Sequence, residues 1–190
     1  MLGDAGQREK AVEALEFAEV ASEVGRFMTA TRLYTAALKA EGMAISLSFD
    51  PVPHRYNAAC AALSAANGLD KTEREPDETT RASPRGQALA WLTYELKNPT
   101  KLAGESAFAS SLDDILSQQK DQQTKDRISS ERKTAFNKRF VKVLRRWQTT
   151  SLLASVRELP SLQALPQAEH ESWREFWTAV ATTIDSTSKP

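Results

Sequence analysis

Few residues in this chain have the type and spacing that chemistry needs. Its two histidines, His54 and His170, lie far apart in sequence and lack metal-ligand spacing. Its one cysteine, Cys60, rules out an internal disulfide and a cysteine-based zinc site. Cys60 lies among alanines and reads as a small buried hydrophobe, not a catalytic thiol. The pair Asp113-Asp114 has polar neighbours and no apolar wall to raise a carboxyl pKa, so it reads as solvated charge. No Gly-x-Ser-x-Gly elbow, phosphate-binding Walker loop or His-Glu-x-x-His pair occurs. The expectation is therefore no enzyme, no cofactor and no metal.

Charge offers more. Lys125, Arg127, Arg132, Lys133, Lys138, Arg139, Lys142, Arg145 and Arg146 are met only by Asp126 and Glu131. On a helical wheel Lys138, Arg139, Lys142, Arg145 and Arg146 lie opposite a stripe from Phe136 to Trp147. Such a face suits an acidic protein partner or nucleic acid, and an ordinary solvated helix face has the same pattern. The formal charge of the chain is zero, so no global field draws it to nucleic acid or to an anionic membrane.

The elements that carry these residues read as all-α. Apolar residues make up 41% of 190, enough for a real core, and alternating β-branched runs are absent. A first helix is predicted over about 7–23. Ala11, Ala14, Leu15, Ala18 and Ala21 form its small-residue face, with Val12, Phe17 and Val20 widening it. Gly25 breaks it. A second helix over 27–41 aligns Phe27, Ala30, Leu33, Tyr34, Ala37 and Leu38, with Gly42 as a stop. A third runs from about Pro53 to Ala66 and ends at Asn67-Gly68. Its Ala58, Ala59, Ala61 and Ala62 let a neighbour come close.

Residues 69–85 read as a charged, exposed loop, with a fourth helix starting at Pro84 and closing at Asn98-Pro99. Domain boundaries follow: two hairpins over 7–98, a polar connector or long exposed helix over 99–131, and a C-terminal helical extension over 132–185. In that extension Phe136, Phe140, Val143, Leu144 and Trp147 form one stripe, and Trp173, Phe176, Trp177, Val180 and Ile184 another. The tryptophans Trp91, Trp147, Trp173 and Trp177 read as core anchors. The polar stretch 1–10 lacks the apolar core of a signal peptide, and no apolar run is long enough to cross a bilayer. A cytoplasmic protein without membrane insertion is expected.

Gly25, Phe27, Ala30, Tyr34, Ala37 and Leu38 resemble the second half of a tetratricopeptide repeat. Tyr56-Asn57-Ala58-Ala59 resembles the first-helix signature of the next repeat, and Gln87-Ala88-Leu89-Ala90-Trp91-Leu92 its second helix. In order, Arg32 to Leu38, His54 to Ala61 and Gln87 to Leu92 resemble the C-terminal helical region of planctomycete serine/threonine protein kinases. Leu144 to Gln148, Leu152 to Arg157, Leu165 to Glu169 and Trp173 to Val180 extend the likeness over residues 14–184. The chain has no glycine-rich phosphate loop, His-Arg-Asp or Asp-Phe-Gly, so kinase activity does not carry over.

The resemblance implies a repeat fragment, capped by the C-terminal helices, that binds a protein or peptide. It also implies that Asn57 faces a concave groove and holds a peptide backbone or carboxylate, since an amide both donates and accepts. The other reading of Asn57 is a bond to a neighbouring helix or loop. Arg55 and Lys39 would add positive charge to the groove. Two further readings stay open: a structural remnant of a larger kinase, and a nucleic-acid-binding helical protein using residues 125–146.

Overall fold

Two glycines set the ends of the helices that begin the stack. Gly25, at φ +79°, lets the Arg26 N–H reach back to the Ala21 carbonyl at 2.8 Å. Gly68, at φ +72°, lets the Leu69 N–H reach the Ser64 carbonyl at 3.0 Å. These left-handed closures satisfy carbonyls that a helix end leaves open, at φ values that cost a side-chain-bearing residue energy. In this computed structural model residues 2–41, 54–71, 77–99 and 121–188 are described. They form α1 (Leu2–Glu23), α2 (Phe27–Glu41), α3 (His54–Ala66), α4 (Glu78–Lys97) and α5 (Gln122–Thr149). A 3-10 helix (Ser151–Val156), α6 (Leu159–Gln163) and α7 (Gln167–Ser188) follow. The described residues are all-helical, as the composition and spacing predict.

α1 pairs with α2, α2 with α3, and α3 with α4. The alanine helix α3 is the centre of the stack. Ala58, Ala59, Ala61, Ala62, Leu63, Ala65 and Ala66 are all buried. A helix apolar on every side must be surrounded. α3 meets α2, α4 and the 3-10 helix, and Tyr56 reaches α5. Small side chains make this crowding possible. One contiguous core then runs from Leu15 in α1 to Ile184 in α7.

Aromatic side chains join the hairpins to the C-terminal helices. Tyr56 stacks on Trp147 with centroids 6.0 Å apart, and Trp147 on Phe176 at 6.3 Å. Phe176 meets Trp173 and Trp177 edge-on at 5.8 and 5.1 Å. The Trp177 Nε1–H donates to the Val156 carbonyl at 2.7 Å. Trp91, Trp147 and Trp173 are buried and Trp177 half-buried, which fits core anchors.

Two sequence expectations need correction. The fourth helix starts at Glu78, within the span read as a loop over 69–85, and Pro84 lies inside it. Asp77 supplies the start by accepting the Thr80 N–H at 2.8 Å. Of the two readings of the connector, residues 122–131 take the helical one, as the start of α5 capped by Asp121. On α1, Val12, Phe17 and Val20 do not widen the buried face: all three are exposed. The Asp113-Asp114 pair, Gly42, Pro51, Pro53, and residues 100–120 of the connector lie outside the described residues.

The two aspartate caps carry a pH prediction. Hydrogen bonds from Thr80 hold the Asp77 carboxyl below its ordinary 3.8, and those from Thr124 do the same for Asp121. A depressed folded-state pKa means the cap contributes fully above the unfolded value and is lost as pH falls through the folded one. The helix signal in circular dichroism should therefore decline as pH drops below about 4. Combining Asp77→Asn with Asp121→Asn, which caps without titrating, should reduce that decline. An unchanged acid profile in that variant would remove the caps as its cause.

Candidate functional site

α5 is buried along one face and exposed along the other. Phe140, Val141, Leu144 and Trp147 are buried on the inner side. Lys138, Arg139, Lys142, Arg145 and Arg146 are all exposed on the outer side. The helix period places the two sets opposite each other, as the sequence predicts. The C-terminal end is fixed from outside the helix. The Arg157 guanidinium donates to the Trp147 and Thr150 carbonyls at 3.2 and 3.0 Å. Arg146 also sits in the last turn, where the helix dipole favours a cation. The result is a row of cations on a helix anchored by its aromatic side.

The groove set is not assembled in the same way. Arg55 and Asn57 are two positions apart on α3, so their side chains leave the helix about 200° apart. Arg55 turns to α4. Its Nη1 lies 3.7 Å from Glu95 Oε1, and its guanidinium lies 4.0 Å above the Tyr94 ring. Both partners of that ion pair are nearly buried. Arg55 thus holds α3 against α4, and does not share a face with Asn57. Asn57 is half-buried and Lys39 is exposed on the last turn of α2.

Cys60 and His54 are both half-buried on α3. Burial pushes the Cys60 thiol up to about 11, against a lowering by the Tyr56 hydrogen bond and by Arg146. A protonated thiol is a poor nucleophile at neutral pH. His54 Nδ1 faces Glu19 of α1 at 3.6 Å. Among the described residues no group of three or more His, Cys, Asp or Glu is placed to hold a metal ion. No helix among them is long and apolar enough to cross a membrane.

The sequence reading missed a buried cation. Arg85, read as part of a loop, is 5% exposed. Its Nε and Nη2 donate to both oxygens of Glu169 in α7, at 2.6 and 3.1 Å, and Nη2 also pairs with Glu78. The local signal was the cap at Asp77, which brings Arg85 into a helix two turns in. Nothing local points to Glu169, which is 84 positions away.

No family model, curated protein or solved structure matches this chain.

Proposed function

We propose that the chain is a non-enzymatic protein-interaction module that offers the basic face of α5 to an acidic protein surface. The observation that carries this reading is the exposure of five cations on one side of α5 while the other side is locked into the core. An anchored helix presents its charges at fixed spacing, so less side-chain and backbone ordering opposes binding. The hairpins α1–α2 and α3–α4 are read as two tetratricopeptide-like repeats, with the C-terminal helices as their cap. Paired helices around a small-residue seam support this form, and stacks of so few repeats need cover. The resemblance to kinase tails makes a scaffold or regulatory segment of a cytoplasmic serine/threonine kinase the specific version of the proposal.

The test is anisotropy of labelled poly-glutamate and of a mixed-sequence DNA duplex, titrated with the chain at low and high salt. Poly-glutamate should bind at low salt and be released by salt. The combination Lys142→Glu, Arg145→Glu and Arg146→Glu should weaken it by about tenfold or more. No binding at low salt, or binding indifferent to the reversal, would overturn the reading and favour a structural remnant. Tighter duplex binding with a steep salt slope would transfer the face to nucleic acid.

A further inference from the structure

α1 has an outer face that its place in the stack does not explain. Ala11, Leu15, Ala18 and Ala21 turn inward and are buried. Flanking that face, Phe17 and Val20 are 56% and 55% exposed, and Val24, just past the helix end, is 51% exposed. Their spacing of three and four residues aligns them in one stripe. Glu9, Glu13, Glu16 and Glu23 are exposed around it, with one cation, Lys10, exposed two turns N-terminal of Phe17. A solvated end helix needs the charges but not the stripe. An apolar row with a charged rim is the pattern of a face that something covers.

The charge that would complement it lies on the same chain but elsewhere. α3 separates the two. His54 of α3 faces Glu19 of α1, while Tyr56 of α3 stacks on Trp147 of α5. Two positions along a helix are about 200° apart, so α1 and α5 lie on different sides of α3. One molecule does not bring its own α1 and α5 faces together. A second molecule can.

We infer that the acidic, apolar-striped face of α1 docks on the basic face of α5 in a second copy of this chain. This rests on the proposed role of the α5 face and names the acidic surface it takes. The match is one of charge at the rim and of apolar contact at the centre. Long Lys and Arg stems cover apolar surface while their heads stay in water. Lys138, Lys142 and Arg145 can thus lie along Phe17, Val20 and Val24 with their charges toward the glutamates. Leu152, in the 3-10 helix that follows α5, is a further exposed apolar residue. The contact joins two different faces, so it is heterologous and each added copy leaves one of each open.

Sedimentation velocity of the full chain tests this. Association should rise with concentration at low salt and disperse at high salt. Glu13→Lys with Glu16→Lys should leave monomers, and so should Lys142→Glu with Arg145→Glu. An equimolar mixture of these two variants restores opposite charges across the contact and should associate again. Phe17→Ser with Val20→Ser should weaken association at every salt concentration. All these substitutions change exposed side chains. A wild-type chain that stays monomeric at low salt would overturn the inference, as would association that survives either charge reversal or a mixture that stays monomeric. If the monomeric chain still binds poly-glutamate, the inference fails and the proposed function stands. If it binds none, both fail.

Discussion

Trp147→Ala should destabilise the protein by about 3–5 kcal/mol, the range for removing a buried tryptophan. Trp147 is 1% exposed. It stacks on Tyr56 with ring planes 7° apart and on Phe176 with planes 26° apart. It is the link through which the aromatic row passes from the hairpins to α7. Truncation leaves a cavity where α3, α5 and α7 meet, and small residues on α3 cannot fill it. Against a typical total of about 5–15 kcal/mol, the loss is a large fraction of stability. Urea unfolding followed by circular dichroism would measure it. Trp147→Phe keeps a ring in the row and should cost clearly less. A loss under about 1 kcal/mol for alanine would mean the C-terminal helices do not depend on this stack. The same truncation loosens the inner face of α5, so poly-glutamate affinity should fall although no cation is removed.

What could be read in advance follows from the range of the forces involved. Helix ends written in one or two residues were legible: Gly25, Asn67-Gly68 and Asn98 each mark an observed stop. So was the face of α5, because a stripe from Phe136 to Trp147 repeats with the helix period. The start of α4 is not legible, because Pro84 has the look of a first-turn proline. The cap at Asp77 outweighs it, and a helix tolerates one interior proline by leaving a carbonyl unbonded. The outer face of α1 was misread because its period fits a helix whichever side is buried. Periodicity gives a stripe, and only packing says which stripe faces inward. Arg55 shows the same limit. Its partner Glu95 lies on α4, so a residue read as part of a groove became a tie between helices.

The extreme case of such a tie is Arg85, and it gives the second large effect. Arg85→Ala should cost about 3 kcal/mol, because it leaves the Glu169 carboxylate in a partly buried place without its cation. Glu78→Ala should cost far less: Glu78 is mostly exposed, and an exposed ion pair contributes only about 0–1 kcal/mol. The decisive variant removes both charges from the α4–α7 contact. Arg85→Met with Glu169→Leu keeps the volume and leaves no orphaned carboxylate. It should lie within about 1 kcal/mol of wild type, since buried pairs replaced together by apolar groups are often neutral. A double variant as unstable as Arg85→Ala would mean the ion pair itself stabilises the contact. A near-neutral Arg85→Ala would mean that water replaces the guanidinium, and that α4 and α7 are held by their apolar neighbours alone. The expected pattern instead assigns Arg85 to orientation. It fixes how α7 lies on α4, and with it how Trp173 and Phe176 meet Trp147 beneath the basic face of α5.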